Sequence, residues 1–493
     1  MDPPDSPDTG TPHRKGLRND SVGLLASVVL GLSSVAPAYS IAVTLGFVTL
    51  VGGRFAPAAL LVGFVPILLT AFAFRELNRR MPDCGTTFVW NTRAFGPHVG
   101  WLSGGWAVQF ATVLAMASLA QVGAAYLLDL VAPDSLAGSP LAVTVTAVLL
   151  LVVVTGVARR GIHLAAEVQY VLLGLQLLAL IAFGVAAFAR DGAVTPSVAW
   201  LNPFGFDGFG PFAEAVLLCL FIYWGWDALI TVNEETTDSA RIPGQAAVIS
   251  TLVLLGTYLF TAFAAISYAG SGPDGLGDEE TAADVLAALA PGLLGDTLAK
   301  VVQLAVCVSA VAALLTCLVS SSRATLSMSA HGALPPAFGR VHPRFRTPAF
   351  GTVFFGAVAA ALLTLLTAVS EDFLGDAILS IGLLIAFYYG ITGLACVWHF
   401  RHELGASTRD LFLKGVLPLL GALAMLAAFA RSAYDMLDPA YGSTAIGGVG
   451  GVFLLGVGSL LVGALATAVA RARFPRFFRE GRTAVADLTV QED

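Results

Sequence analysis

A chain of 493 residues that is 57% hydrophobic and only 12% charged cannot cover itself with a water-facing polar shell, which excludes an ordinary soluble protein and points to an integral membrane protein. Its net charge of −7 matters less than where the charges sit. No nucleotide-binding loop is present, so an ATP-driven pump would need a partner chain. No cofactor, metal or nucleic acid is expected.

Residues 1–20 are polar and proline-rich and read as a disordered cytoplasmic tail, followed by a run too long for a signal core. Twelve apolar runs lie near 22–50, 57–77, 99–128, 140–158, 164–189, 212–232, 245–269, 297–322, 349–368, 375–399, 411–430 and 447–471. Crossing a hydrocarbon core takes about 20 apolar residues, so each run is a candidate transmembrane helix. With the N-terminus cytoplasmic, all 26 lysines and arginines except Arg54, Arg190, Lys300 and Arg431 fall in inner segments. The positive-inside rule then puts both termini in the cytoplasm of a multi-pass plasma-membrane protein. The outer loops are acidic, with Asp274, Asp278, Glu279 and Glu280 after the seventh run and Glu371, Asp372 and Asp376 around the start of the tenth.

The first run carries Gly31-Leu32-Ser33-Ser34-Val35-Ala36-Pro37-Ala38-Tyr39-Ser40. Pro37 removes a helical hydrogen bond in mid-membrane, and freed backbone groups there need protein, water or a solute as partners. The bland alternative is a proline kink patched by the serines. In the sixth run, Phe221-Ile222-Tyr223-Trp224-Gly225-Trp226-Asp227 puts a glycine and a carboxylate among tryptophans, ahead of Asn233-Glu234-Glu235 and Arg241-Ile242-Pro243. An ionisable residue at such a depth is costly and reads as facing a cavity or the bundle interior; its bland alternative is a carboxylate bracing a broken helix. The first and sixth runs each open a five-run unit. Paired interruptions at matching positions of two halves point to a transporter's binding site, and five being odd makes the halves inverted. Half-helix N-termini would suit an anionic group and C-termini a cation, a combination that fits a zwitterion such as an amino acid.

The Phe221 to Pro243 segment resembles the sixth helix of the amino acid, polyamine and organocation permeases. Glu76-Leu77-Asn78-Arg79-Arg80-Met81-Pro82-Asp83-Cys84-Gly85-Thr86-Thr87-Phe88-Val89-Trp90 resembles the loop after that family's second helix, as do Arg93-Ala94-Phe95-Gly96-Pro97 and Gly100-Trp101-Leu102-Ser103-Gly104-Gly105-Trp106. Ser321-Ser322-Arg323, Gly332-Ala333-Leu334-Pro335-Pro336 and Thr347-Pro348 are similar to the end of its eighth helix. The resemblance implies an all-α, leucine-transporter-like fold of twelve transmembrane helices. These comprise a 5+5 inverted repeat over about 21–190 and 211–400, with helices one and six interrupted, two further helices over 401–474, and a cytoplasmic tail over 475–493. It also implies alternating access and a site between helices one, three, six, eight and ten.

On that resemblance the substrate site comprises Ser33, Ser34, Val35, Ala36, Pro37, Phe221, Tyr223, Trp224, Gly225 and Asp227, with Phe221 and Trp226 as gates. Where many relatives carry a glycine-rich first break, this chain has Ser33-Ser34-Val35-Ala36-Pro37-Ala38, which raises a polyamine, amine or other organocation beside an amino acid. Gln176 falls where proton-coupled relatives place a lysine, and glutamine cannot ionise. Coupling to a proton through Asp227, His163 or Glu167, to sodium through Ser320 and Ser321, and exchange without an ion all stay open. Glu234 and Glu235 read as a solvated or loop-bracing pair, and Glu76 as a partner of Arg79 or Arg80. Four of the five cysteines (Cys219, Cys307, Cys317, Cys396) fall in the runs and Cys84 in a loop, as structural thiols. The histidines form no triad or metal set in mid-membrane, which excludes an enzyme, while a channel or non-transporting sensor shares the fold's possibilities.

Overall fold

The computed structural model describes residues 15–17, 21–369, 373–438, 441–442, 444–446 and 448–481, with the side chains of 134, 162–168, 373–374 and 446 left aside. The expected roles of His163 and Glu167 therefore lie outside the described residues. The architecture is helical, with one small hairpin pairing Ala445–Ile446 to Val449–Gly450. Among the described residues, eleven helices are long and apolar enough to cross a membrane. The first such stretch, Leu24–Arg80, holds 57 residues: α1 (Leu24–Val35), α2 (Pro37–Gly52) and α3 (Ala56–Arg80). Next come α4 (Thr87–Phe95), α5 (Pro97–Val131), α6 (Pro140–Arg159) and α7 (Ile162–Ala189).

The second half opens with α8 (Phe209–Ile222), which a turn at Tyr223–Gly225 joins to a tightly wound 3-10 segment, Trp226–Glu235. It continues with α9 (Ile242–Ala269), the short α10 (Val285–Leu294), α11 (Asp296–Ala330), α12 (Ala349–Val369) and α13 (Phe373–Phe400). Two more long helices, α14 (Thr408–Asp435) and α15 (Gly451–Arg473), precede a short α16 (Pro475–Glu480).

Enclosure sorts these helices. The most apolar stretches of α5, Phe209–Glu235 and α13 are 78, 83 and 78% buried, whereas those of α6, α14 and α15 are only 22, 28 and 28% buried. In lipid, packing of small residues rather than expulsion of water holds such helices together. Gly104 in α5 illustrates this, since a Cβ there would strike the backbone of Thr87 and Phe88. The same part of α5, Gly100–Ala107, is wound as a π-helix, a distortion frequent beside functional sites.

Several sequence expectations change here. Lys15 and Leu17, assigned to a disordered tail, are 3 and 8% exposed. Of the two readings of Glu234 and Glu235, bracing rather than solvation fits the structure: Glu235 is 1% exposed and forms an ion pair with Arg323, and Glu234 binds Lys15. Glu76 is paired with Arg75, at 2.8 Å, rather than with Arg79 or Arg80. In each case a carboxylate under the helix ends takes a cation from the chain because burial leaves it no water to bind.

Candidate functional site

The break in the first stretch is set by two adjacent residues. Ala36 adopts φ +54°, a left-handed conformation that costs an L-residue with a Cβ, and Pro37 starts α2 at the position where a missing N–H is harmless. Serines satisfy part of the opened backbone. Ser40 Oγ donates to the carbonyl of Val35 at 2.7 Å. The Ser34 hydroxyl proton is shared between the carbonyl of Gly31 at 2.8 Å and that of Gly225 at 2.7 Å. The backbone N–H of Tyr39, in the first turn of α2, donates to Ser309 Oγ at 3.3 Å, and that hydroxyl donates to Gln176 Oε1 at 2.7 Å. Gln176 thus braces the second half-helix through Ser309.

The second break sits against the first. Gly225 has φ +114°, and a Cβ there would lie 2.6 Å from the carbonyl oxygen of Ser34. Only glycine fits both the conformation and the approach. Beyond it Asp227 lies in the first turn of the Trp226–Glu235 segment, and its Oδ2 accepts a hydrogen bond from Tyr388 Oη at 2.9 Å. Trp224 Nε1 donates to the same tyrosine oxygen. Trp224, Tyr388 and Asp227 therefore form a chain across the gap between the broken segment and α13.

A cavity opens at this junction. Ser34, Val35, Ala36 and Tyr39 line it from the first break, and Phe221, Trp224, Gly225, Asp227, Ala228 and Thr231 from the second. Gly104, Val108, Thr112, Ala115 and Leu119 of α5, Cys317, Ser320 and Ala324 of α11, Tyr388 of α13, and Thr86 and Thr87 complete it. One carboxylate, several hydroxyls and four aromatic side chains (Tyr39, Phe221, Trp224 and Tyr388) line the space. Among the described lining residues there is no lysine, arginine or histidine.

Of the residues expected from sequence, Ser34, Val35, Ala36, Phe221, Trp224, Gly225, Asp227 and Ser320 lie on this wall. The others sit behind it. Trp226 is fully buried against Phe74 and Tyr389, with ring centroids 5.2 and 5.6 Å away, and Tyr223 packs on Phe64 and Tyr258. Ser33 and Ser321 are buried with hydroxyls that have no partner among the described residues, and Pro37 starts its helix. Sequence reasoning missed Tyr388, Tyr39, Thr112 and Thr231. The available signal was a hydroxyl inside an apolar run, which is too common to single out any one of them.

Where the wall reaches Thr86, Thr231 and Ala324, a charged cluster follows. Lys15 Nζ lies 2.9 Å from Asp83 Oδ2 and 2.6 Å from Glu234 Oε1. Asp83 also accepts from Ser327 Oγ and the backbone N–H of Gly85, with His331 Nε2 at 3.2 Å. Burial alone would raise the Asp83 carboxyl, but the Lys15 ammonium and His331 hold it well below the usual carboxylate range. Burial likewise works against the Lys15 ammonium, yet its carboxylate partners keep it above its usual value. Burial beside Glu234 pushes the Cys84 thiol up. Asp83, Cys84 and Glu234 have a spacing that could hold a metal ion, but the ammonium already lies among them. Next to this cluster, Arg323 Nε and Nη2 donate to Glu235 Oε2 and Oε1 at 2.5 and 3.2 Å.

Comparison with known proteins adds an independent finding. Residues 22–458 match the amino acid permease family. The chain is 30% identical over 364 residues to an uncharacterized transporter of Mycobacterium tuberculosis, covering 73% of this chain and 76% of the relative. It is 24% identical over 419 residues to a low-affinity putrescine importer of Escherichia coli (81 and 86% covered). It is 25% identical over 397 residues to a branched-chain amino acid permease of Lactococcus lactis (76 and 80% covered).

Proposed function

We propose, from the premise that the chain belongs to the amino acid permease family, that it is a secondary active transporter carrying an amino acid or a related amine by alternating access. The family consists of transporters rather than enzymes, and its members handle small molecules. The observation that carries the substrate class is the charge of the cavity: Asp227 faces it and no cationic residue balances that carboxylate among the described lining residues. A solute ammonium beside Asp227 is the complementary group. Hydroxyls of Ser34, Thr112 and Thr231 offer acceptors nearby, and Phe221 and Trp224 offer faces for a cation or an apolar side chain.

The twelve-helix, inverted-repeat reading fits the same geometry. The stretch Leu24–Arg80 holds 57 residues, roughly 85 Å of helix at 1.5 Å per residue, which suits two crossings turned at Gly53–Phe55. Its break at Ala36 and the break at Gly225 then fall at the first helix of each five-helix half. Both termini are proposed to be cytoplasmic from the arginine-rich segments. Proton coupling or exchange is the proposed driving mode, with Asp227 the ionisable group inside the cavity, and Phe221 the gating aromatic beside the substrate.

A thermal-shift series on the purified protein tests the substrate class, since a ligand that binds the folded state raises its apparent stability. Leucine, isobutylamine, putrescine and isovalerate separate the amine from the carboxylate. Stabilisation by the amine-bearing compounds and none by isovalerate supports the reading. Stabilisation by isovalerate alone contradicts it.

A further inference from the structure

The end of the cavity is floored by three separate pieces of chain: the loop carrying Thr86 and Thr87, the segment carrying Thr231, and α11 at Ala324. A few residues from each of those positions in sequence stands an ionisable partner, namely Asp83 on the loop, Glu234 on the segment, and His331 just past the end of α11. Lys15 comes from outside all three. Its ammonium touches both Asp83 and Glu234, and Asp83 in turn engages Ser327 and His331.

The described residues Lys15–Leu17 lie against this floor, with Lys15 and Leu17 only 3 and 8% exposed. Among the described residues, Leu17 belongs with Cys84, Leu326 and Val341 to a small buried apolar cluster separate from the main core. Further along, the backbone N–H groups of Ser21 and Val22 both donate to the carbonyl of Glu235, at 2.8 and 3.1 Å, and Thr237 N–H donates to the carbonyl of Val22 at 3.0 Å. A short strip with few apolar contacts opens at far lower cost than the core does. The Lys15 ammonium ties these residues to Asp83 and Glu234, and Arg346 Nη1 donates to the carbonyl of Gly16 at 3.5 Å.

We propose that the N-terminal residues Lys15–Leu17 and Ser21–Val22 form a strap that bolts this mouth of the cavity shut, with the Lys15 ammonium as its pin. When the ammonium leaves, Asp83 and Glu234 are left as two enclosed like charges, and their repulsion drives the loop and the Trp226–Glu235 segment apart. The strap therefore controls access from the side on which the N-terminus lies. It rests on the reading of the cavity as a solute path, but its readout does not need transport, so the two can fail separately.

Cys84 reports the state of the bolt. It is buried, its Sγ lies 3.6 Å from Lys15 Nζ, and its backbone N–H donates to Glu234. The full chain in nanodiscs is treated with a membrane-impermeant maleimide, and labelling at each cysteine is followed by peptide mass spectrometry. Wild type and Lys15→Arg are expected to protect Cys84, whereas Lys15→Met labels there at least about tenfold faster, with Cys219 unreactive throughout. Lys15→Met labelling no faster than wild type overturns the strap, and Lys15→Arg labelling as fast as Lys15→Met overturns the charge as its pin. Cys219 reacting in step with Cys84 shows general unfolding and overturns it as well.

Discussion

The hydroxyl of Ser34 donates to the carbonyl oxygen of Gly225 at 2.7 Å, so the interruption of one membrane-spanning stretch is bonded to the interruption of another 191 residues away. The same proton is also shared with Gly31. A single hydroxyl divided between a carbonyl on its own helix and one on the opposite break can follow either partner if the two breaks separate.

Gly225→Ala tests how closely that junction is fitted. The new Cβ would meet the carbonyl of Ser34 at 2.6 Å on a backbone with φ +114°, a strain of about 1–3 kcal/mol before any clash is relieved. Transport and ligand-induced thermal stabilisation should both fall sharply while the protein still inserts. Gly174→Ala, in α7 with no atom within 4 Å of the new Cβ, should behave as wild type in both assays.

Tyr388→Phe removes the donor to Asp227 and the acceptor of Trp224 together. A hydrogen bond to a charged group contributes about 1.5–3 kcal/mol. Ligand affinity should therefore fall by about one to two orders of magnitude, read as a weaker thermal shift at fixed amine concentration. Tyr223→Phe, whose hydroxyl has no partner among the described residues, should leave that shift unchanged.

The legibility of these features differed with their chemistry. Pro37 and Gly225 announced both breaks because proline and glycine alter the backbone wherever they stand. Asp227 was legible because a carboxylate in an apolar run needs a reason. Tyr388 was not, since a tyrosine inside the continuous apolar helix α13 carries no backbone signature and its role depends on what lies across the gap. Lys15 was hidden for the opposite reason: it stands in a polar, proline-rich stretch, and its carboxylate partners are 68 and 219 residues away in sequence. Whether Glu235 was solvated or bracing stayed open in the sequence because Arg323, its buried partner, belongs to another helix.

Arg323 and Glu235 are each 1% exposed, so removing either partner strands a buried charge. Arg323→Met or Glu235→Gln alone should destabilise by about 3–5 kcal/mol, and the double substitution should cost less than the sum of the two. Thermal unfolding of the four proteins in detergent checks this. Strictly additive losses would mean that the two side chains act separately.

The Lys15 cluster sets a pH dependence. Folding depresses the Asp83 carboxyl, so its contribution is full above the unfolded value of about 3.9 and fades as pH falls through the lower folded value. Folding raises the Lys15 ammonium, whose contribution is full below about 10.4 and fades only as pH rises through the folded value. From about pH 5 to 9 the contributions of these two groups should not change with pH. In the closed conformation of Lys15→Met, Asp83 is enclosed without its counter-ion, so its carboxyl rises and that conformation gains protons on acidification. The loss, about 3–5 kcal/mol at most, should be largest near pH 8 and shrink toward pH 5. A difference from wild type that is constant across that range would contradict the assignment.

The central claim is that the cavity moves an amine-bearing solute past Asp227. Its most direct test is counterflow in proteoliposomes loaded with unlabelled leucine or putrescine and diluted into the same compound in radiolabelled form. Transient accumulation of label above equilibrium by the wild type, abolished in Asp227→Asn that inserts and folds normally, is the expected result. Equal accumulation by the two proteins, or binding of the solute by the wild type without any flux, would contradict it.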